Sequence, residues 1–133
     1  MTPLDATRFV WQLIERGMFS WYELKMFVEH AAIITSDALH VLAGIAVWIV
    51  AGLAQRRPLT GWLPWLWVLA AILLNETIDL WVEQWPIAAM QYGESAKDVM
   101  LTMIVPTLLM AAARWRPNLF AARARTPRRS RRR

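Results

Sequence analysis

Polar and ionisable side chains recur at the ends of three apolar segments, and their spacing matches the turn of a helix. The pairs are Asp37 with His40, Glu76 with Asp79, and Asp98 with Thr102. Because residues three or four apart lie on one face of a helix, each pair is expected to point in one direction. Ionisable residues at membrane depth usually face a bundle interior or a wet cavity. The residues of this predicted polar cluster are Asp37, His40, Asn75, Glu76, Asp79, Asp98 and Thr102.

Three interpretations of the predicted polar cluster stay open. Asp37 and Asp98 could cap helix N-termini while the other groups hydrogen-bond between helices. His40 could instead act as a general base in a binding or catalytic site, oriented by Asp37 or Glu76. One histidine with several carboxylates would also suit Mg²⁺, Ca²⁺ or Mn²⁺. No catalytic residue is assigned from the sequence, and we predict neither a bound metal nor a cofactor.

Composition separates this chain from ordinary soluble domains. Its 133 residues are 57% hydrophobic, with nine Trp and no Cys. Trp favours the membrane–water interface, whereas the absence of Cys excludes disulfides, thiolate chemistry and Cys-ligated metals. These observations disfavour a soluble enzyme and favour a small polytopic membrane protein.

Hydropathy divides the chain into three parts: 1–35, 36–116 and 117–133. The middle part contains three apolar segments, at 37–54, 62–82 and 99–113. We therefore predict an all-α membrane protein with three transmembrane helices, preceded by an N-terminal amphipathic helix or helix pair. A polar connection is expected at 85–96, where Pro86 and Gly93 would break a helix.

The N-terminal segment at 5–34 alternates apolar and charged residues with helical periodicity. Its charges exclude an ordinary span, since each would cost roughly 2.5–3.5 kcal/mol at the bilayer centre. Gly17 and Ser20 divide the segment into two amphipathic pieces. Two placements stay open: on the membrane surface, or packed on the spans from the aqueous side.

Charge predicts the orientation of the spans. With three spans, the loop at 55–61 and the C-terminus share one side, which carries eleven Arg and no acidic residue. The positive-inside rule then places the C-terminus in the cytoplasm and the N-terminus outside. We expect a multi-pass protein of the bacterial inner membrane.

The last residues are predicted to be a disordered, Arg-rich cytoplasmic tail. Beside a membrane, such a tail engages anionic lipid headgroups at about 1 kcal/mol per basic residue, and nucleic acid is not expected as a partner. The residues assigned to this contact are Arg123, Arg125, Arg128, Arg129, Arg131, Arg132 and Arg133.

The segment TSDALH at 35–40, running directly into an apolar span, resembles the motif that opens the first helix of VanZ-like membrane proteins. The sequence ETID at 76–79 is similar to the family's E-x-x-Q, with Asp79 at the Gln position. Glu94, Ser95 and Asp98 resemble the family's loop R-x-x-S-x-x-D, without its Arg, and Thr102 stands where an Asn is usual. The resemblance covers about 36–113. It implies a small helical protein of the cell envelope, some relatives being associated with teicoplanin resistance, and it implies no particular reaction.

The expected function is a VanZ-like envelope protein whose outer-facing polar pocket binds a lipid headgroup or an envelope intermediate. Two alternatives stay open: a holin-like pore-forming lysis protein, and a structural subunit of a larger membrane complex. Three short spans hide little polar surface from lipid, so we also expect a homo-oligomer or a membrane-protein partner.

Overall fold

A computed structural model describes residues 3–32 and 34–116, which form four helices and no strand. The helices are α1 (Pro3–Ala31), α2 (Ser36–Ala54), α3 (Trp62–Val82) and α4 (Ala88–Trp115). The predicted all-α fold is confirmed. The predicted tail at 117–133, with its seven Arg, lies outside the described residues.

Helices α2, α3 and α4 are each long and apolar enough to cross a membrane. The shortest, α2, has 19 residues, which at about 1.5 Å per residue nearly matches a hydrocarbon core of about 30 Å. The chain is therefore a helical membrane protein with three candidate spans, as its composition predicts.

Local signals explain where α2 begins. The Thr35 hydroxyl accepts a hydrogen bond from the Ala38 backbone N–H at 3.3 Å, satisfying one of the free donors of the first turn. Asp37 lies in that same turn, where a negative charge favours the helix dipole. The predicted N-cap at Thr35–Ser36 is thus confirmed.

Two expected interruptions were wrong. Helix α1 is one continuous element, so Gly17 and Ser20 do not divide it. Helix α4 starts at Ala88, so Gly93 does not break it and Asp98 lies well inside the helix rather than at its N-terminus. A single Gly costs a helix only about 1 kcal/mol relative to Ala, which the many remaining hydrogen bonds of a 28-residue helix outweigh.

The three spans pack through buried residues at helical spacing. In α2 these are His40, Gly44, Trp48 and Gly52; in α3, Pro64, Val68, Ile72, Glu76 and Asp79; in α4, Thr102, Met103, Pro106, Met110 and Ala113. Their apolar members form a core around Trp48, Val68, Ile72 and Met103. Each stripe carries polar residues at the end of the bundle where α2 begins and α3 ends.

Helix α1 lies against α3. The Trp11 and Trp81 rings meet edge to face, with centroids 5.5 Å apart. Many apolar side chains of α1 nevertheless remain exposed, including Leu4 and Phe27. Of the two placements left open by the sequence, the structure shows contact with the bundle, and it leaves the rest of the apolar face of α1 uncovered.

Candidate functional site

The candidate site is centred on a contact between a histidine of α2 and a carboxylate of α4. His40 Nε2 lies 3.3 Å from Asp98 Oδ2, and His40 Nδ1 lies 3.3 Å from the Thr102 hydroxyl. Both nitrogens of the imidazole are therefore engaged by α4, which fixes the ring. Glu76 of α3 completes the group, because its carboxylate oxygen, His40 and an Asp98 oxygen all lie within 4.8 Å of one another.

A close approach of two backbones brings His40 to α4. A Cβ added at Gly44, one turn after His40, would lie 2.1 Å from the Thr102 carbonyl oxygen. Only glycine leaves room for this contact. Thr102 follows Asp98 by one turn, so the place where the helices come closest also sets the distance between His40 and its two partners.

A second polar group joins α3 to α1. Asn75 Nδ2 donates to Asp79 Oδ2 at 2.9 Å, and the Asn75 carbonyl accepts from Trp21 Nε1 at 3.0 Å. Lys25 forms an ion pair with the same Asp79 oxygen. Two residues four apart on α1 thus engage two residues four apart on α3.

Asp37 lies at the rim of the site rather than in its centre. Its carboxylate is 3.0 Å from Lys97 Nζ and its side chain is 54% exposed. Lys97 also pairs with Glu94 on the same helix. Asp37 therefore belongs to an exposed network between α2 and α4.

The structure brings six of the seven predicted residues into two adjoining groups: His40, Glu76, Asp98 and Thr102 in one, Asn75 and Asp79 in the other. Asp37 lies at the exposed rim, where it pairs with Lys97 and its carboxylate comes within 4.8 Å of an Asp98 oxygen. Sequence reasoning missed the contributions of Trp21, Lys25 and Lys97, and it named Glu94 only through the family resemblance. The available signal was the match in spacing between Trp21 and Lys25 and their partners, although spacing alone does not say which helices pack together.

Two cavities adjoin the polar residues. The first, about 360 Å³, lies between α1, α2 and α3 and is lined mainly by apolar side chains, with His40, Asn75 and Thr102 in its wall. The second, about 290 Å³, is polar and contains Glu76, Asp79 and Asp98. Lys25, Glu29 and Ser36 line both cavities, so the apolar and the polar space share a wall. We call them the apolar cavity and the polar cavity.

The polar cavity is strongly acidic. In the part of the chain that the structure describes, its lining holds six carboxyl groups and one ammonium group, that of Lys25. The carboxyl groups belong to Glu29, Glu76, Asp79, Glu83, Glu94 and Asp98.

The pKa of Tyr22 on α1 is raised by burial and by these neighbouring carboxylates. Burial, a hydrogen bond to Glu83 and the nearby carboxylates, Asp79 and Glu29 among them, raise the pKa of Tyr22 to about 12. A negative phenolate is disfavoured at this place because its surroundings are already negative and partly dry.

Two carboxylate oxygens on the walls of the polar cavity lack hydrogen-bond donors. Asp79 Oδ1 and Asp98 Oδ1 are buried and have no partner among the described residues. The Asp79 side chain is only 10% exposed. A buried acceptor without a donor costs roughly 1–3 kcal/mol, more when it is charged, so both oxygens favour a ligand that supplies hydrogen or positive charge.

Two triads have the ligand spacing for a cation. One is His40, Glu76 and Asp98, and the other is Asp37, Glu94 and Asp98. Their oxygen-rich donor set matches hard divalent ions. The His40–Asp98 pair alternatively has the arrangement of a base and its orienting carboxylate.

No protein-family model, curated protein or solved structure matches this chain. The fold and site therefore define its class by themselves: a small polytopic helical membrane protein with a histidine–carboxylate cluster buried between its spans.

Proposed function

We propose that this chain is a VanZ-like protein of the bacterial inner membrane, whose polar cluster binds the headgroup of a membrane lipid or an envelope intermediate. The observation that carries the proposal is the buried cluster of His40, Glu76 and Asp98, which adjoins both a polar and an apolar cavity. A membrane lipid offers a matching pair of polar and apolar parts. Binding sites of this kind combine an apolar lining with a few convergent polar groups.

Charge distribution supports an outward orientation of the cluster. Arg56 and Arg57 lie just after α2, and Arg114 and Arg116 lie at the end of α4, so these four residues share the end of the bundle opposite to the cluster. The positive-inside rule assigns that end to the cytoplasm. The cluster would then face the outer leaflet.

The resemblance to VanZ-like proteins supports the same residues. His40, Glu76 and Asp98 each belong to a different motif of that resemblance, and the three side chains converge. Convergence of separate motifs is what a shared binding site requires. If the cluster served only to hold the helices together, the neutral isosteres Glu76→Gln and Asp98→Asn would keep most of its hydrogen bonds and would leave lipid binding unchanged.

Lipid retention tests the proposal. Native mass spectrometry of the detergent-purified chain should reveal bound lipid, and Glu76→Gln and Asp98→Asn should each lower its occupancy about tenfold, as expected for losing one hydrogen bond to a charged group. Glu23→Gln is the matched control, because Glu23 is an exposed carboxylate on α1. Circular dichroism checks that each variant keeps its helices.

Two results would contradict the proposal. The first is that both single variants, Glu76→Gln and Asp98→Asn, fold and retain lipid as well as the wild type does. The cluster would then serve only in helix packing. The other is membrane permeabilisation on expression with no bound lipid, which would favour the pore-forming alternative.

We also propose that the chain assembles with further copies of itself or with another membrane protein. The exposed apolar residues of α1 and the spans give each protomer a large surface for contact with lipid or protein. We expect a homo-oligomer or a membrane-protein partner to cover part of it, and crosslinking in native membranes would detect either. Anionic headgroups remain the expected partners of the Arg-rich tail.

A further inference from the structure

We infer that the ligand is a lipid with a primary ammonium headgroup, whose ammonium enters the polar cavity while an acyl chain occupies the apolar cavity beneath α1. This inference rests on the proposed function and names the substrate class of the same site. Three observations carry it: the charge of the polar cavity, its unsatisfied acceptors, and the wall that the two cavities share.

Charge selects a cationic group. Among the described residues, six carboxyl groups and a single ammonium line the polar cavity, and Lys97, just outside the lining, pairs with one of those carboxylates, Glu94. An anionic phosphate or carboxylate placed among them would be repelled, whereas a cation would be attracted through a low dielectric that strengthens the interaction. Lys25, which pairs with Asp79, already shows that the walls accept an ammonium group.

Hydrogen bonding selects a primary ammonium over a quaternary one. The buried oxygens Asp79 Oδ1 and Asp98 Oδ1 have no donor among the described residues. A primary ammonium brings three N–H donors, as a lysine side chain does. A trimethylammonium group carries the same charge but no donor, so it would leave both oxygens unsatisfied.

Because the polar and the apolar cavity share lining residues, a ligand with both a polar and an apolar part fits them better than a free amine does. Beyond Lys25, Glu29 and Ser36, the apolar cavity extends between Leu24, Val47 and other apolar side chains. Its volume of about 360 Å³ lies within the usual range for ligand sites, roughly 300–1,000 Å³. An acyl chain buried there gains about 0.8 kcal/mol per CH₂ relative to water, although that gain is smaller relative to a bilayer.

Headgroup comparison tests the inference in the wild-type chain. Three lipids with identical dioleoyl chains are offered in equal amounts to the delipidated protein and counted by native mass spectrometry: phosphatidylethanolamine, phosphatidylcholine and phosphatidylglycerol. We expect phosphatidylethanolamine to be retained about tenfold over each of the others, because only it provides charged donors to the unsatisfied oxygens. Asp79→Asn should reduce this preference, with Glu23→Gln as control.

The predicted position of the acyl chain is tested by a larger side chain that fills the apolar cavity. Ala43 lines the apolar cavity, whereas Ala46, three residues further along the same helix, does not, although both alanines are exposed. Ala43→Leu should weaken retention of dioleoyl phosphatidylethanolamine, and Ala46→Leu should not. Binding of glycerophosphoethanolamine, which has the headgroup without the chains, should be equal in both variants.

The outcomes separate the two proposals. If phosphatidylglycerol is retained as well as phosphatidylethanolamine and both depend on Asp98, the site binds lipid headgroups but the ammonium inference is overturned. Equal retention of phosphatidylcholine and phosphatidylethanolamine also overturns it. If none of the three lipids is retained, the proposed binding of a membrane-lipid headgroup fails together with the inference.

Discussion

Replacing Gly44 by alanine should force α2 away from α4 at the depth of the polar cluster. The added Cβ would lie 2.1 Å from the Thr102 carbonyl oxygen and 2.9 Å from its carbonyl carbon. Even a weak C–H···O contact needs about 3.3 Å between carbon and oxygen. The two backbones must therefore separate by about 1 Å or more.

That separation has two energetic consequences. Overpacking of a close contact costs about 1–3 kcal/mol. The same movement lengthens the contact between His40 and Asp98, now 3.3 Å, and a hydrogen bond to a charged group contributes roughly 1.5–3 kcal/mol. Alanine regains up to about 1 kcal/mol of helix propensity. The expected net loss is about 2–5 kcal/mol in the free energy of unfolding.

Unfolding in mixed micelles by titration with sodium dodecyl sulfate, followed by circular dichroism, measures this loss. Gly93→Ala is the matched control, because an added Cβ there meets nothing within 4 Å and α4 continues through Gly93. It should stabilise the chain by up to about 1 kcal/mol. A Gly44→Ala chain as stable as Gly93→Ala would refute the close approach that positions His40.

Two further predictions concern the two ends of the bundle. In a Tyr92→Phe background, absorbance titration of Tyr22 should give a pKa near 12, and Glu83→Gln should lower it. Because the folded pKa lies above the ordinary value of about 10, the stabilising contribution of the neutral phenol is lost as pH rises through that range; a midpoint near 10 in the folded chain would contradict the acidic surroundings. At the opposite end, the Arg114 guanidinium lies 4.3 Å from the Trp62 ring centroid, so Arg114→Gln should lower the free energy of unfolding by about 0.5–1 kcal/mol. An unchanged value would show that this contact contributes nothing to stability.

The spans were predictable because a bilayer imposes a simple rule on composition. An apolar stretch at 62–82, which carries no charge before Asn75, predicts a helix, and α3 occupies that range. Thr35 also signals the start of α2 through its side-chain acceptor. Such signals act within a few residues of one another and need no knowledge of the tertiary structure.

The boundary of α4 was not predictable in the same way. Polar residues between Ala88 and Asp98 suggest a loop, yet they form the first turns of the helix. Several find partners on other elements: Asp98 with His40 and Lys97 with Asp37. Tertiary contacts of this kind let polar residues remain helical, and they cannot be derived from local pattern.

The site was predictable in its members and not in its pairings. Helical spacing placed His40, Glu76 and Asp98 at one end of three spans, and they do converge. The same reasoning placed Asp37 beside them, and its carboxylate does come within 4.8 Å of an Asp98 oxygen, but spacing along α2 could not show that this contact lies at an exposed rim. The contribution of Lys25 depends on where α1 packs, which amphipathicity alone leaves undetermined.

Disulfide crosslinking between positions 40 and 98 in native membranes tests most directly that the spans assemble this buried site. The chain has no cysteine of its own, so His40→Cys with Asp98→Cys forms an isolated pair. A cysteine pair at positions 40 and 74 serves as the negative control, since Leu74 of α3 is 64% exposed and is not part of the buried face that packs against α2. The structure predicts crosslinking at 40 and 98 and none at 40 and 74. Absence of the 40–98 crosslink, in a preparation where a control pair at positions 55 and 62 does crosslink, would contradict the site.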